Sequence, residues 1–222
     1  SLEIRDKIRK SGYIFFSSHR PNDSIIEIAE DLGKPLDPWK DGPVQTLVPR
    51  SQAAPNSYGG IFGLNHFPFH SDLAHWRTPP RYLLLRCVVG YADVPTMVID
   101  GHDLIDAVTL DILRRAIFKP RRPRDGSVSL LRLCEPADDI VRVRWDEVFL
   151  KPASRVGEVA DLRVREWLST CMPTAVSLAE THDTLLIDNW RMLHARSPIL
   201  PGRENRAIER VYLEGFIEEI DF

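Results

Sequence analysis

Cysteine is scarce in this chain. The 222 residues contain three, Cys87, Cys134 and Cys171, widely spaced and odd in number. No Cys-x-x-Cys pair occurs, so a zinc knuckle or a thioredoxin-like site has no support, and the set does not form a disulfide framework. The thiols read as reduced and buried. Long apolar runs are missing too. Runs such as Leu83-Leu84-Leu85 fall far short of the roughly 20 residues that span a bilayer. There is no excess of positive charge, since 29 Lys and Arg face 32 Asp and Glu for a net charge of -3. That balance gives no global pull toward nucleic acid or an anionic membrane. The charged amino-terminal residues lack a signal-peptide pattern, and the opening Ser1 reads as a trimmed start. The expectation is a soluble, cytoplasmic, globular protein with neither nucleic acid nor membrane as partner.

What is present suffices for a substantial core. Hydrophobic residues make up 43% of the chain, and this length suits one domain spanning 1–222. A helical pattern over Leu2 to Lys10 stops at Gly12, before a strand-like Tyr13-Ile14-Phe15-Phe16. Ser24-Ile25-Ile26-Glu27 has the form of a capping box, opening a helix that ends at Gly33. From Val44 the character becomes β, with strands expected at 44–49, 58–62, 81–89, 95–100, 128–133, 140–149, 174–179, 184–188 and 206–216. Two helices interrupt them, His102 to Phe118 and Glu158 to Thr170. Many short strands with flanking helices predict a mainly β barrel or sandwich rather than a doubly wound sheet. The basic stretch Lys119 to Gly126 reads as a solvated connection, with a flap over an anionic substrate as the sharper alternative.

Histidines number seven, and three fall at positions 66, 70 and 75. His70 and Asp72 are two apart, so in an extended strand their side chains share one side. A second histidine elsewhere would complete a two-histidine, one-carboxylate triad that leaves positions open on Fe(II). His194, within Asp188 to Arg196, is the candidate. Two other readings stay open: histidines that merely pack or solvate, and a zinc site from His66, His70 and His75, although no cysteine lies nearby to close it. In Arg206-Ala207-Ile208-Glu209-Arg210 the arginines are four apart and share a strand face. An interior arginine is costly unless an anion meets it, and its planar fork suits a carboxylate. A turn and a return strand after His194 would bring Arg206 beside the metal. The alternative is pairing with Glu209 or Glu214, or exposure to solvent.

The ordered set of Phe67-Pro68-Phe69-His70-Ser71-Asp72, Pro79 to Leu85, Asn189 to Pro198 and Arg206 to Tyr212 resembles the signature of Fe(II)/2-oxoglutarate-dependent oxygenases. It is most similar to the branch holding taurine dioxygenase, clavaminate synthase and gamma-butyrobetaine hydroxylase. The motifs run from about residue 58 to 216. The resemblance implies a double-stranded β-helix, or jelly-roll, core with Fe(II) on His70, Asp72 and His194. It further implies 2-oxoglutarate as co-substrate and O2 as oxidant. Thr96 would touch the distal carboxylate of 2-oxoglutarate and Arg206 would pair with it, while Arg210 would brace the co-substrate or meet the substrate. Which arginine takes which role stays open. The expected outcome is hydroxylation of an unactivated C–H bond, with desaturation or ring closure as variants, and release of succinate and CO2.

Three features depart from the branch. Ser71 replaces the commoner threonine, Pro95 precedes Thr96, and the chain is short. The last of these leaves room for a carrier-tethered substrate or a partner that completes the lid. Asp72 itself argues against a halogenase. Asn65, His66, His75 and Trp76, flanking the ligand strand, are candidates for the pocket mouth, and a carboxylate-bearing, amino-acid-like small molecule would match a free Arg210. A non-catalytic jelly-roll binder and a cupin-type metalloenzyme without 2-oxoglutarate are the alternatives.

Overall fold

The computed structural model describes residues 2–50, 55, 57–122, 126–138 and 140–217. Its frame is two antiparallel sheets. The larger places its strands in the order Tyr13–Phe16, Thr184–Asp188, Tyr82–Val89, Ala207–Phe216, Gly33–Leu36, with Gln45–Leu47 also paired to Ala207–Phe216. The smaller runs Thr174–Val176, Thr96–Asp100, Met192–Arg196, Phe67–His70. A hairpin of Cys134–Ala137 with Ile140–Val143 and a three-stranded sheet around Ile117–Pro120 lie outside this frame.

Side-chain alternation along each strand decides what lies between the sheets. Leu83, Leu85, Ile187, Ile208 and Tyr212 of the larger sheet pack against Val98, Val176 and Met192 of the smaller. The outer face of the larger sheet, with Leu84, Leu186 and Val211, is covered by Ile8 and by Ile25, Ile28 and Ala29. Ile99 and Leu193 on the outer face of the smaller sheet pack into a third cluster with Leu104, Leu113, Ala160 and Val164. Both sheets are therefore covered on their outer faces. Polar side chains on the inner faces are enclosed, and that is where the metal-type residues fall.

Local chemistry fixes several boundaries. Ser24 accepts from the Glu27 N–H and Glu27 reaches back to the Ser24 N–H, the expected capping box, for the helix Ile25–Leu32. The expected strand over 58–62 is instead a one-turn helix, Tyr58–Phe62, because the Ser57 hydroxyl caps the Gly60 N–H. The single helix expected over His102 to Phe118 is two, Gly101–Val108 and Leu110–Arg115, broken at Thr109 with φ 85°, and Ile117–Pro120 is a strand. Thr109 adopts a left-handed conformation that no helix continues through. The helix expected over Glu158 to Thr170 begins earlier, at Arg155, where Ser154 caps Gly157. Expected strands at 128–133 and 140–149 shrink to Leu131–Arg132 and Ile140–Val143. Two strands that carry ligands, Phe67–His70 and Met192–Arg196, were not among those expected. Pro123 to Asp125 of the basic stretch lie outside the described residues. Among the described residues, no helix is long and apolar enough to cross a membrane.

Candidate metal centre

His70 ends one strand of the smaller sheet and His194 lies directly opposite it on the neighbouring strand. Their ring centroids are 4.4 Å apart. Asp72 follows two residues after His70, and both imidazole Nε2 atoms converge on its Oδ1, at 3.1 Å from His70 and 3.2 Å from His194. One ligand atom from each of the three residues lies within 4.8 Å of the others, and all three side chains are buried.

The atoms not facing this point are already occupied. His70 Nδ1 lies 2.8 Å from the Pro68 carbonyl. A carbonyl only accepts, so Nδ1 carries the proton and the Nε2 lone pair is left for a metal. Oδ2 of Asp72 accepts from the Tyr212 hydroxyl at 2.7 Å and from Arg210 Nη1 at 3.1 Å. Oδ1 alone is then free to ligate. Burial pushes the Asp72 carboxyl up, but Arg210, His194 and His70 together outweigh it and hold the group well below the usual carboxylate range. Burial and the neighbouring His70 lower His194, which keeps its imidazole neutral, as ligation needs. Burial lowers the His70 imidazole, but Asp72 and Asp146 outweigh it and raise the group, so a metal there would displace a proton. Two imidazoles and one carboxylate, with a protein-free side between the sheets, suit non-haem Fe(II).

The backbone around the triad is clamped by buried polar groups. Asn189 is fully buried, accepts from the Asp72 N–H at 2.7 Å and donates to the carbonyls of Asp72 and Pro80 at 3.0 and 2.9 Å. Arg144, 1% exposed, donates to the carbonyls of Ala74, Trp76 and Arg77 and pairs with Glu135. That arginine pins the segment following the ligands against the core.

A cavity of about 650 Å³ opens over the triad, a volume in the range of small-molecule sites. Thr96, Arg206 and Arg210 all line it, as do His75 and Trp76. Arg206 is 6% exposed, its Nε is buried without a partner, and no acidic side chain among the described residues pairs with it. Burial accordingly pulls its guanidinium below the usual arginine range. Arg210 differs: it is tied to Asp72 and to Gln45 Oε1 at 3.0 Å. Asn65 and His66 are exposed and are not among the residues that line the cavity. The Asn65 N–H donates to Phe62 and its carbonyl accepts from Arg196, which folds this turn back against the chain and away from the opening. The zinc grouping of His66, His70 and His75 does not form; the metal-type cluster among the described residues is His70, Asp72 and His194. Sequence reasoning assigned no role to Asn189, Tyr212, Tyr58 or Asp146.

No protein-family model matches the chain, and no curated protein matches it. Solved structures do. The fold is similar to that of solved non-haem iron oxygenases. PvcB, described as an Fe, alpha-ketoglutarate dependent oxygenase from an isonitrile synthetic pathway, aligns with a TM-score of 0.68 at 22% identity, over 96% of this chain and 79% of its own. The non-haem iron oxygenase OrfP, solved with Fe, succinate and (3S)-hydroxy-L-Arg, aligns with a TM-score of 0.66 at 16% identity, over 96% and 80%. Asparagine oxygenase with Fe(II), 2S,3S-3-hydroxyasparagine and succinate aligns with a TM-score of 0.60 at 17% identity, over 77% and 56%. The chain thus spans little more than half the length of the asparagine oxygenase.

Proposed function

We propose that this protein is an Fe(II)- and 2-oxoglutarate-dependent oxygenase that hydroxylates a small, amino-acid-like substrate. The observation that carries the reading is the buried convergence of His70, Asp72 and His194, with every other ligand-side atom of Asp72 already engaged. The two facing sheets are read as the halves of a jelly-roll, and residues 1–222 as one oxygenase domain acting on small molecules in the cytoplasm.

Bound Fe(II) would supply the oxygen chemistry, coupling oxidative decarboxylation of 2-oxoglutarate to C–H oxidation with release of succinate and CO2. The chain's own residues position and shield. Arg206, buried and lacking an anion, receives the distal carboxylate of 2-oxoglutarate, with the Thr96 hydroxyl beside it. This assignment leaves Arg210 on the metal side, bracing Asp72. By engaging Oδ2, Tyr212 and Arg210 would leave Asp72 to hold the metal through Oδ1 alone. The similar structures holding hydroxylated asparagine and hydroxylated arginine favour an amino acid as substrate.

The test is anaerobic. Fe(II) and 2-oxoglutarate added to the apo-protein should give a weak visible absorption band, absent in His194→Ala. No band in the unaltered protein sinks the reading. Substrate-dependent succinate, assayed across an amino-acid panel, separates an oxygenase from a jelly-roll binder.

A further inference from the structure

Outside the triad and the two arginines, the cavity wall holds one more buried charge. Asp146 is 3% exposed and lines the cavity, yet no lysine or arginine pairs with it among the described residues. Its position follows from the ligand strand. Ser71, between the two ligands His70 and Asp72, donates its N–H to the Trp145 carbonyl at 2.9 Å, and the Trp145 N–H donates to Ser71 Oγ at 3.2 Å. Trp145 is thereby bolted to the metal strand, and the next residue is carried onto the wall beside it.

The carboxylate is held in one orientation. Oδ1 accepts from the Val148 and Phe149 N–H groups, both at 2.7 Å. The Tyr58 hydroxyl, buried and without a well-formed hydrogen bond, adjoins this carboxylate. The Tyr58 ring stacks on His70 at 4.5 Å, and Phe149 meets Tyr58 edge-on at 5.4 Å and His75 at 5.4 Å. A turn-capping role accounts for Oδ1 alone. Asparagine would cap that turn equally well, without the cost of burying a charge whose opposite charge is the His70 imidazole rather than a lysine or arginine. Burial raises the Asp146 carboxyl accordingly. A carboxylate among aromatic faces is a receptor for an organic cation.

We propose that Asp146, framed by Tyr58 and Phe149, recognises a positively charged group, ammonium or guanidinium, on the small molecule that enters the cavity. The proposal rests on the oxygenase reading for the reaction and adds the class of substrate. Arg206 takes the anionic co-substrate and Asp146 the cationic end of the substrate, so the two charges are sorted to different parts of one cavity.

The experiment uses charge-changing pairs of similar shape, L-arginine against L-citrulline and L-lysine against L-norleucine. They are titrated calorimetrically into protein loaded with Zn(II) and 2-oxoglutarate, so that binding is read without turnover. The cation of at least one pair should bind more tightly by about tenfold or more, as expected for a buried charge pair. Asp146→Asn, which retains the turn cap, should bring that pair close to parity with 2-oxoglutarate affinity and melting temperature unchanged. Equal affinity within both pairs, no binding by either cation, or a preference that survives Asp146→Asn overturns the proposal. Failure of the oxygenase reading would instead appear as missing 2-oxoglutarate binding or missing succinate.

Discussion

Asn189 and Asp72, 117 residues apart in sequence, hold each other by two reciprocal hydrogen bonds, from the Asp72 N–H to Asn189 Oδ1 and from Asn189 Nδ2 to the Asp72 carbonyl. The Asp72 carboxylate therefore starts from a fixed main chain, supported by a side chain that is not among those lining the cavity. Asn189→Ala should lower Fe(II) affinity by roughly 10- to 100-fold, the scale of outer ligand support. It should also cost about 2 kcal/mol of stability, because it orphans a buried N–H. Metal titration and thermal denaturation read the two effects separately; unchanged metal affinity would show that the clamp serves only the fold.

Arg206→Ala should raise the 2-oxoglutarate concentration needed for half-maximal succinate formation by about tenfold or more, and Arg206→Lys by less, since a lysine restores the charge without the planar fork. Steady-state kinetics in 2-oxoglutarate decides it. An unchanged 2-oxoglutarate requirement with weakened substrate binding would exchange the roles of Arg206 and Arg210.

Tyr212→Phe removes the donor 2.7 Å from Asp72 Oδ2 and leaves Arg210 in place. Metal binding should weaken several-fold, at or below about tenfold, with the fold intact. Arg210→Ala, which removes a charge as well, should weaken it further. Reversal of that order in metal titrations would mean that the hydroxyl, not the guanidinium, sets the carboxylate's orientation.

Glu135 pairs with Arg142 at 2.6 Å and with Arg144, and both arginines are buried. Burial pushes the Glu135 carboxyl up, and the two arginines more than reverse that, leaving it below its ordinary 4.5. A depressed folded value means that the stabilisation is fully present above pH 4.5 and is lost as the pH falls through the folded value. Glu135→Gln should cost about 3 kcal/mol at neutral pH, from the buried cations it abandons, and should flatten the acid limb of the stability curve. Urea melts between pH 3 and 7 check both, and an unaltered acid limb would assign the acid sensitivity to another group.

The clustering of these polar residues was legible in the sequence because their spacing follows from strand geometry: His70 and Asp72 two apart, and Arg206 and Arg210 four apart. All four line one cavity. The terminal strand and the strand 184–188 were legible from their β-branched and leucine-rich runs. The ligand strands themselves were not. Phe67–His70 contains Pro68, and Met192–Arg196 mixes three apolar residues with His194 and Arg196, so neither alternates cleanly. Tyr58–Phe62 reads as β from its aromatics until the Ser57 cap is weighed. Asn189 and Asp146 were illegible for a different reason. Their roles arise from contacts across many residues, such as the one between Ser71 and Trp145, which no local pattern encodes.

The bonds between Ser71 and Trp145 use main-chain groups and one serine hydroxyl, and none involves the side chain of residue 146. The cavity wall can thus be rewritten at position 146 without removing the bonds that anchor the strand of His70, whereas Tyr58 stacks on His70 itself. In such a scaffold the triad and the wall that would face a bound molecule can change independently. Retargeting it would begin with a small library on the wall and leave the triad and its clamps untouched.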